Sequence, residues 1–113
     1  MMDGAVKLQT LFQALGDANR LRIIKFIGDQ ERSVSEIVQA IGLSQPLVSH
    51  HLKLLRKMNI LETRRNGPFI YHKLKETKIL DALGIFLELA TAIHDEHLEA
   101  PMFCSPPWWR RHR

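Results

Sequence analysis

The stretch Ser44-Gln45-Pro46-Leu47-Val48-Ser49-His50-His51-Leu52-Lys53-Leu54-Leu55-Arg56-Lys57 constrains this chain most. Val48, Leu52 and Leu55, continued by Met58 or Asn59, recur at helical spacing and give one apolar edge. Gln45, Ser49, His50, Lys53 and Arg56 are left on the opposite edge, and all of them are hydrogen-bonding or cationic groups. Ser44 supplies a capping oxygen, and Pro46 is tolerated because the first helical turn needs no intrahelical donor. Gly42 closes a preceding helix, and Asn66-Gly67 marks a hairpin inside a basic segment. A helix, a tight turn, a polar helix and a basic hairpin, in that order, can place side chains in a DNA groove and clamp the flanking backbone.

The flanking segments supply the rest of a small fold. In residues 5–15, Leu8, Leu11, Phe12 and Leu15 form one stripe of an amphipathic helix that Gly16 ends. Asp17 is placed to cap the next helix, with Leu21, Ile24 and Ile27 inward and Arg20, Arg22 and Lys25 on its outer side. Ser33-Val34-Ser35-Glu36 has the spacing of a capping box, after which Ile37, Ala40 and Ile41 point inward. Residues 60–65 and 68–74 read as two strands around an Asn66-Gly67 turn, with Arg64, Arg65 and Asn66 at the tip and Pro68 on an edge. His51 and His72 are expected against the core. Residues 78–98 read as a long helix with a broad apolar band: Ile79, Leu80, Leu83, Phe86, Leu87, Ala90 and Ile93. A band that wide needs a second partner. The first and last helices are therefore expected to form a homodimer interface, an arrangement suited to a two-fold symmetric DNA site.

Bulk properties narrow the function further. A chain of 113 residues is expected to form one compact domain, here residues 1–98, with 99–113 as an irregular, basic Pro/Trp-rich tail. The 16 Lys+Arg against 12 Asp+Glu give a net charge of +4, which favours polyanions as partners. One cysteine, Cys104, excludes an internal disulfide and fits a reducing cytosol. The first residues lack the blocks of a secretion signal, and no apolar run reaches the ~20 residues that cross a bilayer, so a cytoplasmic protein without membrane contact is expected. There is no Gly-rich phosphate loop, nucleophile motif or carboxylate cluster, so an enzyme is not expected. His50 and His51 point about 100° apart on a helix and make no chelate. A module for protein contacts alone would not need cations on both the polar helix and the hairpin tip.

Three segments in order, Ala14-Leu15-Gly16-Asp17-Ala18-Asn19-Arg20-Leu21-Arg22-Ile23-Ile24, Leu43 to Leu55, and Arg65-Asn66-Gly67-Pro68-Phe69-Ile70-Tyr71-His72-Lys73-Leu74, resemble the ArsR/SmtB family of winged-helix repressors. The resemblance covers roughly residues 8–98. It implies a mainly α, winged helix-turn-helix fold of four helices, a β-hairpin and a fifth helix, dimeric through its first and last helices. It also implies a repressor on double-stranded operator DNA, released by an inducer. Gln45, Ser49, His50 and Lys53 match the family's reading face, and Arg64, Arg65 and Asn66 its wing tip. The chemistry agrees: Gln reads adenine edges, Lys reads guanine or phosphate, and arginines suit phosphates or the minor groove.

The resemblance leaves the inducer open. Ser33 and Ser35 stand where many members carry a Cys-x-Cys pair for soft metals, and hydroxyls are poor ligands for those ions. Asp81, His94 and His97 match three of the four positions at which other members hold zinc, cobalt or nickel between paired last helices. The fourth is Leu83. Asp81 and His94 are 13 residues apart, roughly 20 Å along one helix, so only two antiparallel chains could bring them together. His94 and His97 share a face at i, i+3 if the helix continues. A thiol response at Cys104, a small organic ligand and a ligand-independent repressor are the alternatives.

Overall fold

The computed structural model describes residues 3–94. They fall into two compact units that meet between Glu76 and Thr77.

In the first unit, α1 (Gly4–Leu15) starts where Asp3 accepts a hydrogen bond from the Val6 amide. Only Ala14 and Leu15 of this helix are buried, while Leu8 and Phe12 of the expected stripe are exposed. Asp17 caps α2 (Ala18–Ile27), accepting from the Asn19 amide at 2.8 Å and the Arg20 amide at 3.1 Å. The buried face of α2 is Ile23, Ile24 and Ile27, each 0% exposed, and Leu21 is only half-buried. Arg20 does not stay on the outer side. Its Nε donates to the Ala14 carbonyl at 2.6 Å and its Nη2 to the Gln13 carbonyl at 3.2 Å. Those carbonyls lie in the last turn of α1, where no intrahelical donor reaches them.

A short strand, β1 (Arg32–Ser33), precedes α3 (Val34–Ile41). Ser33 ends the strand and caps the helix at once. Its Oγ accepts from the Glu36 amide, and the Glu36 carboxylate accepts from the Ser33 amide, which completes the capping box. Ile37 is fully buried, but Ala40 is exposed rather than inward. Gly42, at φ +80°, takes the left-handed position that stops α3. Ser44 then caps α4 (Gln45–Lys57), with Pro46 in the first turn and Val48, Leu52 and Leu55 fully buried. The inner faces of α2, α3 and α4 pack on one another, and α2 and α3 also meet the sheet. Each large aliphatic side chain buried there contributes on the order of 1.5–3 kcal/mol.

The hairpin consists of β2 (Leu61–Asn66) and β3 (Phe69–Leu74). Its turn is Gly67-Pro68, one residue later than expected, because Asn66 still pairs with Phe69. Gly67 has φ +63° and proline fixes a negative φ behind it, the order that a type II′ hairpin turn requires. Pro68 therefore interrupts no pairing. The sheet has three strands, not two: β1 pairs antiparallel with β3, in the order β1-β3-β2.

The second unit contains α5 (Lys78–Ile93). It is shorter than the expected 78–98, since the backbone of His94 is extended, with ψ 111°. Leu83 is buried, whereas Ile85, Phe86, Leu89 and Ile93 are exposed.

Candidate nucleic-acid interface

The caps of α4 fix its phase, and the phase fixes its outer face. Val48, Leu52 and Leu55 lock one side into the core, so Gln45, Ser49 and Lys53, at i, i+4 and i+8, line the other. His50 is exposed beside them. No acidic residue occurs between Ser44 and Lys57, so this face carries no charge that would repel phosphate.

Arg56 departs from the outward position expected of it. It is half-buried, and its Nη1 lies 2.9 Å from Nε2 of His72 on β3. Arginine can only donate, so Nε2 accepts and the imidazole keeps its proton on the buried Nδ1, where the Arg32 backbone opposes the fall in pKa. Burial first, and the Arg56 charge second, push the His72 pKa below 6.5. The pair ties the polar helix to the hairpin. His51 also lies against the core, at 5% exposure. Burial lowers its pKa, with Asp17 opposing the shift and Arg20 and His50 adding to it.

The hairpin leaves the body as a ribbon exposed from Thr63 to Ile70. Arg64 is not a free cation. It makes a bidentate ion pair with Glu31, Nε and Nη2 lying 2.7–2.9 Å from the carboxylate, and its guanidinium sits 5.4 Å from the Tyr71 ring centre. The Arg64 hydrogen bond is the main reason that the Glu31 carboxyl titrates below its ordinary range. Arg65 and Asn66 are exposed further out. The structure thus puts Gln45, Ser49, His50 and Lys53 on one helix face, places Arg65 and Asn66 near the tip, and anchors Arg56 and Arg64 to other side chains. Sequence reasoning missed Glu31. A lone acid in the loop before β1, 33 residues from its partner, has no local signature.

The candidate metal ligands are not gathered. Asp81 and His94 are exposed at opposite ends of α5, Leu83 is buried, and His97 lies outside the described residues. Among the described residues no three His, Cys, Asp or Glu side chains cluster as a metal site would need. Ser33 spends its hydroxyl on the helix cap. Cys104 and the 99–113 tail also lie outside the described residues. Among the described residues no helix is long and apolar enough to cross a membrane.

Comparison with known proteins gives a consistent picture. The family model for bacterial regulatory proteins of the arsR family matches residues 17–63, which run from the cap of α2 into β2. The transcriptional repressor SdpR of Bacillus subtilis is 28% identical over 71% of this chain and 89% of its own length. The cadmium resistance transcriptional regulatory protein CadC of Listeria innocua is 33% identical over 66% of this chain, which spans 63% of CadC. The crystal structure of the transcriptional repressor BigR from Xylella fastidiosa superposes with a TM-score of 0.68 at 33% identity, covering 81% of this chain and 91% of that one.

Proposed function

Since this chain belongs to the arsR family of bacterial regulatory proteins and has the family's winged helix-turn-helix fold, we propose that it is a dimeric repressor that reads a two-fold symmetric duplex operator with α4 and the β2–β3 wing. It is a transcriptional regulator and not an enzyme. The observation that carries the reading is the outer face of α4, where Gln45, Ser49, His50 and Lys53 are exposed together on a helix without carboxylates. Gln45 and Ser49 are assigned to base edges, Lys53 to guanine or phosphate, and Arg65 and Asn66 to the flanking minor groove or backbone. Arg56 and Arg64 reach phosphate only in the directions that His72 and Glu31 leave to them. A second copy of the chain is the occupant proposed for the exposed apolar residues of the first and last helices, Val6, Leu8 and Phe12 on α1 and Ile85, Phe86, Leu89 and Ile93 on α5.

Lys53→Ala tests the assignment. Operator affinity should fall, and the slope of log affinity against log salt should flatten by about 0.9 for each phosphate no longer neutralised, about 1.8 for a dimer. The dimer should keep its mass. An unchanged slope would remove Lys53 from the interface, and equal affinity for all duplexes would leave a non-specific module.

A transition metal as the releasing inducer fits the described residues poorly. Buried Leu83 occupies the position of a fourth ligand, and His94 has left the helix that was to present it beside His97. No step of release is assigned to zinc, cobalt or nickel. One relative is named as a cadmium resistance transcriptional regulatory protein, and that name is not carried over to this chain.

A further inference from the structure

The far end of the hairpin is apolar as well as basic. Phe69 is 58% exposed and Ile70 44% exposed, next to Pro68 in the turn. Scattered exposed apolar side chains are ordinary on protein surfaces. Three in succession at the apex of a projecting ribbon are not scattered. The pairing puts Phe69 opposite Asn66 and Ile70 opposite Arg65, so apolar and hydrogen-bonding groups alternate across the tip. From the buried Leu61–Leu74 pair to the Asn66–Phe69 pair the ribbon advances five residues, roughly 17 Å. Phe69 and Tyr71 stand on the same face of the ribbon, with ring centres 6.5 Å apart and the rings tilted by 41°. No acidic residue occurs from Thr63 to Lys75, and Arg65 is exposed beside the tip. Charge complementarity therefore selects a polyanion as the occupant.

We propose that Phe69, with Pro68 behind it, is an apolar wedge that enters the operator's minor groove, opens one base step and bends the duplex. A minor groove about 6 Å wide admits a two-residue turn and one ring, but not the ribbon behind them. Phe and Pro are among the side chains that wedge base steps elsewhere, with bends of about 20–90° toward the major groove. Arg65 holds the adjacent backbone while the ring supplies contact to sugars and bases that involves no counterion. This role adds specificity that no base-edge hydrogen bond provides, because steps that unstack easily are favoured. It rests on the assignment of the wing to DNA.

The experiment uses the full chain and duplexes enriched by it from a randomised library. Affinity is measured across a salt series, and bend by energy transfer between the duplex ends. Phe69→Ala should weaken binding roughly tenfold for each ring withdrawn, about a hundredfold for a dimer that inserts two, with the salt slope unchanged. It should also straighten the duplex by at least about 20°. Phe69→Leu should keep most of the bend. Arg65→Ala should instead lower the salt slope by about 0.9 for each phosphate it neutralises. Affinity within twofold of wild type and an unchanged bend in Phe69→Ala would overturn the wedge. So would a loss of dimer mass in that variant, which would make the tip a protein contact. If no duplex is enriched at all, the assignment to DNA fails first and the wedge fails with it.

Discussion

Asp17→Ala tests how the helix that carries the core is fixed in place. The Asp17 carboxylate accepts two amide hydrogen bonds at the start of α2, and the Arg20 side chain on the same turn closes the end of α1. Removing the carboxylate leaves two amides of the first turn without that acceptor. Loss of such a cap costs about 1–2 kcal/mol. For a domain of this size each kcal/mol corresponds to about 4–8 °C, so the thermal midpoint followed by far-ultraviolet circular dichroism should fall by roughly 4–16 °C. Asp17→Asn keeps a capping oxygen and should stay near wild type at pH 7. Wild type alone carries a group that titrates at this position, so it and the variants differ in their response to acid. Burial pushes the Asp17 pKa up, but the Arg20 amide, the charges of His51 and Arg20, and the Asn19 amide outweigh it and hold the carboxyl below 3.8. A depressed carboxyl stabilises the fold above its unfolded pKa, and that contribution is lost as pH falls through the folded value. Any advantage of wild type over Asp17→Asn should therefore begin to shrink near the unfolded value of about 3.9 and be gone only below the lower, folded one. An Asp17→Ala midpoint within about 2 °C of wild type would refute the reasoning, because an exposed site with no cap behaves that way.

Three further outcomes follow from the geometry of the hairpin and of α5. Burial lowers the pKa values of His72 and His51, so between the folded and unfolded values the folded chain binds fewer protons than the unfolded one. Stability should be full above the unfolded value near 6.5 and decline as pH falls from there. In His72→Gln that decline should be shallower between pH 6.5 and 5, and an identical profile would mean that His72 does not titrate with folding. Glu31→Gln should speed amide exchange along β2 and β3 while leaving α2 and α4 protected. Unaltered exchange there would show that the Arg64 pair does not hold the hairpin. Zinc, cobalt or nickel titrated into the reduced protein should leave operator affinity within about twofold, given the missing ligand. Stoichiometric release by a metal, abolished in Asp81→Ala, would instead establish a site shared between two chains.

The helices were legible because their ends are chemically marked. Asp17, the Ser33–Glu36 box, Ser44 and Gly42 act through bonds spanning two to four residues, and such short spans survive in a linear reading. The third strand was not legible. Two residues have no periodicity, and Arg32–Ser33 becomes a strand only because β3 lies beside it. The turn was misplaced by one residue because Asn-Gly is the stronger signal for a type I′ turn. In that turn Pro68 would have to donate an amide hydrogen bond to the Arg65 carbonyl, and proline has no N–H to give; its fixed negative φ fits instead directly after Gly67. The outer face of α4 could be read from its period. The fates of its last outward cation, Arg56, and of the first wing arginine could not, since each depends on a partner distant in sequence.

Those two partners determine how the site works as a unit. His72 is on the sheet face that turns toward the core, opposite Thr63, and it holds Arg56 at the C-terminal end of α4. Glu31, in the loop after α2, holds Arg64 on the other face of the same ribbon. The hairpin is therefore gripped from both faces, once by the helix proposed to read bases and once by the loop after the central helix of the core. Each grip is a hydrogen bond to a charged group, a class worth more than a neutral pair and directional enough to fix orientation. Beyond both grips, Arg65 to Ile70 pair only within the ribbon among the described residues. A two-stranded ribbon alone is marginally stable in water, so its anchors set how far its tip can wander. The anchors fix the base of the wing relative to α4, and the adaptable part is confined to the few residues proposed to meet the minor groove.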